Sequence, residues 1–397
     1  MSGPASSLLG VYRMPDAVFV RGAGTRLVAE DGRVYLDFTA GIGVNALGHA
    51  SPLVRSAIET ALGTGLIHVS NLFRTRPAEE LARVLVDRSG LDQVFFCNSG
   101  GESVEGAIKF ARKWAKARGG EAKHRIVALK GSFHGRLFGS LAVTDRPDFR
   151  DPFRPVMPGV DFADPEDPVG VREALSRERT AALIAEPIQG EAGIRPLPGD
   201  LLRDLREWTR EKGIALILDE IQCGLARSGT FFAHEASGIT PDILCLAKAL
   251  AGGLPMGAVV MSRAIAAAMA PGDHGTTFGG GPLVASVART VVETLGRADF
   301  LEGVRLKGER LRRGLEQVAG ANPDCVAEVR GRGLLWGVEL SRTAGPVIEE
   351  ARERGLLTVP AGSRVIRLLP PLTVRRAEID DAVEVLAGAI GTVARAA

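Results

Sequence analysis

Residues 215–222 read Ala-Leu-Ile-Leu-Asp-Glu-Ile-Gln. Four apolar residues, 215–218, end on two acids, Asp219 and Glu220. An unbroken apolar run this short is what a strand buried on both faces looks like. In an open parallel sheet the carboxyl ends of the strands face the ligand crevice, so these acids stand where a ligand would be met. A carboxylate there can pair with a protonated ring nitrogen. It can equally cap a helix or close a salt bridge.

Similar runs recur on either side, at Gln93–Cys97, Arg125–Leu129, 181–185, Ile243–Leu246 and 258–261. Helical stretches separate them. Residues 102–117 place Val104, Ile108, Ala111 and Ala115 on one face and basic residues on the other. Residues 201–212 form a second such stretch. Strands alternating with helices predict an α/β fold with a mostly parallel central sheet and helices on both faces. The ends of the chain read differently. Residues 17–38 resemble a small hairpin turning at Asp31-Gly32. Beyond Leu295 the pattern predicts a long helix, short strands within 326–340 and at Val365–Leu368, and a last helix from Ala377. The expected division is an N-terminal segment, 1–48, a large α/β domain, 49–294, and a C-terminal part, 295–397, with both ends building a smaller α+β unit.

Composition narrows the function classes. The 397 residues carry 49 basic and 47 acidic side chains, a formal charge of +2, so neither nucleic acid nor an anionic membrane is suggested as a partner. The four cysteines make no C-x-x-C pair and no metal-ligand spacing, which reads as free thiols in a reducing compartment. No metal site is expected. Residues 1–16 lack the basic-then-apolar order of a signal peptide, and a cytoplasmic protein is the expectation.

Four more stretches carry chemistry. Asn98-Ser99-Gly100-Gly101-Glu102 opens the helix after the strand ending at Cys97; unpaired N–H groups at a helix start suit a phosphate. Lys248 emerges from the strand Ile243–Leu246 into a glycine-rich turn, where burial would lower its affinity for a proton and make it a nucleophile. Phe133-His134-Gly135-Arg136 offers a ring face, an imidazole and a guanidinium suited to a carboxylate. Thr276-Thr277-Phe278-Gly279-Gly280 is a second candidate anion loop. Taken singly, each also has a structural reading: a capped helix, a snorkelling lysine, a structural imidazole, a surface loop.

Taken together and in this order, LILDEIQCG, the lysine about thirty residues on, FHGR and TTFGG resemble the class III aminotransferases of the pyridoxal-phosphate (PLP) fold-type I superfamily. The resemblance runs from DGRVYLDFTAGIGVNALGHASP to VIRLLPPLT, nearly the whole chain. It implies PLP as cofactor, held covalently by Lys248. Asp219 would pair with the pyridine nitrogen, with Glu220 beside it among the cofactor contacts. Gln222 would bond the phenolic oxygen, and Ile221 and Phe133 would cover the two ring faces. Ser99, Gly100 and Gly101 would hold the phosphate, joined by Thr277 from a second copy, since family members form their sites across a homodimer interface. Gly101 departs from the family's usual threonine, which implies one hydroxyl fewer on the phosphate.

The stretches AGIGVNALGH, HVSNLF, EPIQGEAGI and RGRGLLWGVEL are most similar to family members acting on N-acetylornithine. They imply transfer of its δ-amino group to 2-oxoglutarate, a step in arginine biosynthesis. Arg367 would bind the α-carboxylate of glutamate or 2-oxoglutarate, Arg136 the distal carboxylate, Glu191 would mask Arg367 when no α-carboxylate is present, and Thr276 would lie beside the substrate. Succinylornithine, γ-aminobutyrate, ornithine and carrier-linked donors share the motifs. The ornithine enzymes place a tyrosine in the pocket, whereas Tyr12 and Tyr35 fall outside the motif positions. Arg74 and Arg76 either line the entrance or are surface charges. A same-fold aminomutase and a PLP-binding scaffold are the alternatives from other classes.

Overall fold

The structure, a computed structural model, describes residues 7–12 and 14–395. Part of the stretch read for a signal peptide, residues 1–6 and 13, lies outside the described residues.

A seven-stranded sheet forms the centre. Its spatial order is Gln93–Cys97, Gly257–Met261, Ile243–Leu246, Ala215–Asp219, Thr180–Ala185, Arg125–Leu129 and Val160–Ala163. Only Gly257–Met261 runs antiparallel to its neighbours; the other pairings are parallel. Alternate residues of each central strand enter opposite cores. Leu183, Leu216, Leu218, Leu244 and Leu246 pack on one face with Leu201, Leu202 and Leu205 of the helix Gly199–Lys212. Ala182, Ile184, Ala215, Ile217, Ile243 and Cys245 pack on the other with Val104, Ala107, Ile108, Ala111 and Ala115 of the helix Gly100–Gly119. That is why the strands are apolar without alternation: a polar residue on either face would be buried without a partner.

The edge strand Val160–Ala163 has no counterpart among the sequence-based expectations. It is half-exposed, and its Asp161 pairs with Arg125 across the sheet, so it lacks a continuous apolar run. The N-terminal hairpin is instead a three-stranded meander, Phe19–Ala23, Arg26–Ala29 and Val34–Asp37. An extra turn at Gly24 (φ 56°) breaks the first half, a backbone conformation that glycine adopts freely. Leu356–Leu357 pairs in parallel with Leu36–Asp37, so the two ends of the chain share a sheet. A second C-terminal sheet runs Val326–Arg332, Leu335–Leu340, Val365–Leu368, Val359–Pro360. It carries Arg367, opposite Gly337. Among the described residues no helix is long and apolar enough to cross a membrane.

Candidate active site

Four segments at the carboxyl ends of central strands, together with the helix start at Gly100, line a cavity of about 410 Å³. Ser99, Gly100, Gly101, Phe133, Glu191, Asp219, Ile221, Gln222 and Lys248 all line it. Residues separated by up to about 150 positions in the chain thus meet because parallel strands end on the same side.

At one end, Ser99 caps the helix Gly100–Gly119: its hydroxyl accepts from Glu102 N at 3.2 Å. Glu102 in turn accepts from Asn98 N and Asn98 Nδ2, both at 2.9 Å, which fixes the approach of the chain. Gly100 and Gly101 are the first helical residues, so their N–H groups have no acceptor within the helix. A Cβ at Gly100 would stand 2.9 Å from Ile221 Cδ1, so this backbone approaches its neighbour as only glycine allows.

At the other end sits Asp219. Its Oδ2 lies 2.8 Å from His134 Nδ1, and both side chains are buried. Asp219 Oδ1 accepts from Ile221 N at 3.1 Å. His134 is anchored from behind, its N–H donating to Thr144 Oγ1 at 2.9 Å. His134 Nε2 is buried with no partner. The imidazole therefore serves Asp219 as a buried neighbour, a contact that the sequence reading of His134 as structural or cofactor-adjacent did not specify.

Lys248 lies between these ends with φ 41°, a left-handed conformation that costs a non-glycine residue roughly 1–2 kcal/mol. Burial lowers the affinity of its amine for a proton; Arg367 adds to this and Asp219 opposes it. A buried amine that gives up its proton readily beside a carboxylate has the chemistry a nucleophile needs.

Arg367 enters from the second sheet and is 3% exposed. Its Nη1 donates to Glu191 Oε1 at 2.6 Å and Gln222 Oε1 at 3.2 Å, and its Nη2 to Pro360 O at 3.1 Å. Arg136 is exposed and does not line the cavity; its guanidinium stacks 3.5 Å above the centre of the Phe149 ring. Arg74 pairs with Glu79 on the exposed surface.

Two expectations change. Glu220 does not reach the cavity. Its carboxylate accepts from His234 N at 2.8 Å and lies 2.7 Å from His234 Nδ1, because successive residues leave a strand on opposite sides. Thr276 and Thr277 lie in a separate surface groove with Phe95, Glu102 and Glu105; Thr276 Oγ1 is bonded by Asn98 Nδ2 at 3.1 Å and Thr277 is exposed. Thr276, expected beside the substrate, does not line the cavity of its own chain; Thr277 was expected from a second copy, so its place outside its own chain's cavity changes nothing.

Glu186 does line it and was not anticipated. The same signal that marks Asp219, an acid ending the fully buried strand Thr180–Ala185, marks it too.

An anion cradle, a buried carboxylate, two apolar faces and an amine around one slot fit a flat, phosphorylated, nitrogen-containing ring. The chain matches the family model for aminotransferase class-III over residues 10–390. This chain belongs to the class-III aminotransferases. It is 43% identical over 379 residues to acetylornithine aminotransferase 1 of Bradyrhizobium diazoefficiens, covering 96% of this chain and 93% of that one. Among solved structures, N-acetylornithine aminotransferase of Stenotrophomonas maltophilia superposes with a TM-score of 0.85 at 35% identity, covering 96% of this chain and 97% of that one. An ornithine aminotransferase of Toxoplasma gondii, described as having partial PLP occupancy at its active site, superposes with a TM-score of 0.93 at 31% identity, covering 98% and 92%. The chain is therefore an enzyme with an amino donor and a keto acid as substrates, built on the PLP fold-type I scaffold.

A Cβ at Gly101 would meet only Leu137, at 3.4 Å, so a threonine fits there and adds a hydroxyl to the cradle. Gly101→Thr is expected to tighten cofactor retention by about 0.5–1.5 kcal/mol, the worth of one neutral hydrogen bond. Reconstitution of the apo form, with Kd measured for both proteins, checks this; an unchanged or weaker Kd would count against it.

Proposed function

We propose that this enzyme is a PLP-dependent transaminase that moves the δ-amino group of N-acetylornithine to 2-oxoglutarate, giving N-acetylglutamate semialdehyde and glutamate. The Arg367–Glu191 ion pair carries the reading. The two substrates make opposite demands on one place. Glutamate and 2-oxoglutarate bring a carboxylate next to the reacting carbon, whereas the δ-carbon of N-acetylornithine brings only hydrogen. A buried guanidinium suits the first and is costly beside the second unless something neutralises it, since an uncompensated buried charge destabilises by several kcal/mol. Glu191 does so at 2.6 Å, and with 23% of its side chain exposed it has room to leave when a substrate carboxylate arrives.

The chain's residues divide the remaining work. Ser99 and the N–H groups of Gly100 and Gly101 would hold the cofactor's phosphate, Phe133 and Ile221 its ring faces, Gln222 its phenolic oxygen, and Asp219 the proton on its ring nitrogen. Bound PLP supplies the electron sink that lets a carbon–nitrogen bond change hands. Lys248 would hold the cofactor through Nζ and would move a proton to and from the substrate carbon, for which its lowered proton affinity suits it. Arg136, whose guanidinium lies 5.8 Å from the ring centre of the cavity-lining Phe133, would meet the distal carboxylate. Tyr35 is buried against Phe19, 5.5 Å between ring centres, and Tyr12 is exposed, so neither tyrosine lines the cavity of its own chain, which favours an acylated donor over ornithine.

The reading includes a homodimer. Segments 66–73 and 276–278 touch through Asn71 Nδ2 and Thr276 O at 2.6 Å, and through His68 and Phe278. Both leave large apolar side chains in water: Leu72 is 87% exposed and Phe278 67%. A patch of this kind is what a partner covers, and Thr277 would reach the partner's phosphate from it.

N-acetylornithine alone should shift the absorbance of the loaded enzyme to that of the cofactor's amine form, and 2-oxoglutarate should reverse it. A shift with glutamate but none with N-acetylornithine would remove the substrate assignment and leave the class. Glu191→Gln should slow the N-acetylornithine half-reaction about ten-fold or more relative to the glutamate half-reaction, about the 1.4 kcal/mol that separates a masked from an exposed Arg367; stopped-flow rates for both donors that stay in their original ratio would refute the masking role. Phe278→Asp should shift sedimentation from dimer to monomer and weaken cofactor retention with it. A monomeric variant that retains the cofactor as the parent does would show that Thr277 plays no part across the interface.

A further inference from the structure

Glu186 is the charged residue of the cavity that the transfer chemistry leaves without a task. It ends the strand Thr180–Ala185, lines the cavity and is 6% exposed. No lysine or arginine pairs with it among the described residues. Its Oε1 accepts from Phe133 N at 2.9 Å and its Oε2 from Gly190 N at 3.0 Å. One carboxyl thus ties the segment carrying the ring-facing Phe133 to the residue immediately before Glu191.

We propose that Glu186 is a positioning residue that takes up a proton from solvent when a dicarboxylate acceptor enters and releases it when the acceptor leaves, balancing the site's charge against substrates of different charge. This rests on the reading that the acceptor is a dicarboxylate.

Charge gives the first reason. The cavity's cations are Lys248 and, behind Gln222, Arg367, and its acids are Asp219, Glu191 and Glu186. N-acetylornithine brings an ammonium to the reacting end, but 2-oxoglutarate brings two carboxylates and no cation. A second carboxylate in a buried site raises the proton affinity of an acid already there. The groups facing Glu186 are His134 and Phe133 N from one loop, Gly190 N from its own, Asp219 and the Cys223 thiol from the next, and Lys248. Burial, with Asp219 adding, pushes its proton affinity up to about 7, against His134 and the two backbone N–H groups. Small changes around it therefore decide its charge near neutral pH.

Connectivity gives the second. Gly190 is packed against Gln222: a Cβ on it would lie 2.3 Å from Gln222 Oε1. When a substrate carboxylate takes Arg367 from Glu191, the backbone at Gly190 and Glu191 carries the displacement. Gly190 N–H is one of the two donors that stabilise the charged form of Glu186, so loosening it favours protonation. The arrangement ties movement of Glu191 to the charge of Glu186, and both respond to the same carboxylate. No other atom changes hands: one proton moves from buffer to a Glu186 oxygen on binding and returns on release.

The sign of the pH dependence follows. Below about pH 7 the acid form is already present and an acceptor binds without proton uptake; above it, uptake is required and apparent affinity falls by up to about ten-fold per pH unit. The test is calorimetric titration of the loaded enzyme with glutarate, a dicarboxylate with no carbonyl to react, in two buffers of different ionisation enthalpy. The parent enzyme should take up a fraction of a proton per glutarate, and its Kd for glutarate should rise between about pH 7 and about pH 8.5. Glu186→Gln, an isosteric change that keeps one acceptor oxygen, should abolish the uptake and flatten the profile; a purely structural role would weaken binding equally at every pH. Equal uptake in both proteins would overturn the proposal. Should the variant fail to fold, the parent decides alone: glutarate bound without proton uptake and with a flat profile rejects the role of Glu186. Glutarate that does not bind at all rejects the dicarboxylate acceptor itself, and the inference with it.

Discussion

Burial of the Asp219 carboxylate at the tip of an apolar strand is the constraint on which the rest of the site depends. A carboxylate taken out of water is costly unless it is hydrogen-bonded or faces a cation. The chain meets the requirement with His134 Nδ1 at 2.8 Å and the N–H of Ile221 at 3.1 Å. Each of these in turn needs support. Thr144 holds the backbone of His134, and Thr144 Oγ1 itself donates to Ser140 O at 2.9 Å. Ile221, kept in place by Asp219, closes over Gly100 and excludes any side chain there. The phosphate cradle and the carboxylate are thus two ends of one packed unit rather than separate motifs.

The sheet makes that unit rigid. Its central strands are buried on both faces, and their carboxyl ends lie in one row. The strand ends set where the loops that line the slot begin. Arg367 arrives differently, from a sheet built by the C-terminal part of the chain. Its bonds to Glu191 and Gln222 cross from that sheet to the central one. On the proposed reading, substrate choice would rest on this contact between elements, and the cofactor would be held by residues of the central sheet alone.

Much of this was legible in the chain before any coordinates. The strand Ile243–Leu246 and the lysine after it were evident because an unbroken apolar run has few other uses in a protein of ordinary composition. Val160–Ala163 was not, since an edge strand meets water on one side and its Asp161 masks the pattern. Glu220 was misplaced because adjacency in sequence was taken for adjacency in space, whereas neighbours leaving a strand diverge. Glu186 was passed over although it directly follows a fully buried strand, much as Asp219 closes one.

The sequence by itself determined the sheet, the carboxyl-end placement of the acid and the lysine, the glycine start of the helix, and membership of the class-III aminotransferases. Those features are local: periodicity, caps and glycine positions depend on residues a few places apart. Only the tertiary structure decided which atoms meet. The bond of His134 to Asp219, the 2.6 Å contact that realises the expected pairing of Arg367 with Glu191, and the burial of Glu186 on two backbone N–H groups with no ion pair among the described residues are of this kind. They depend on how two sheets are brought together, and nothing in the spacing of residues along the chain encodes the distance between elements that are close only after folding.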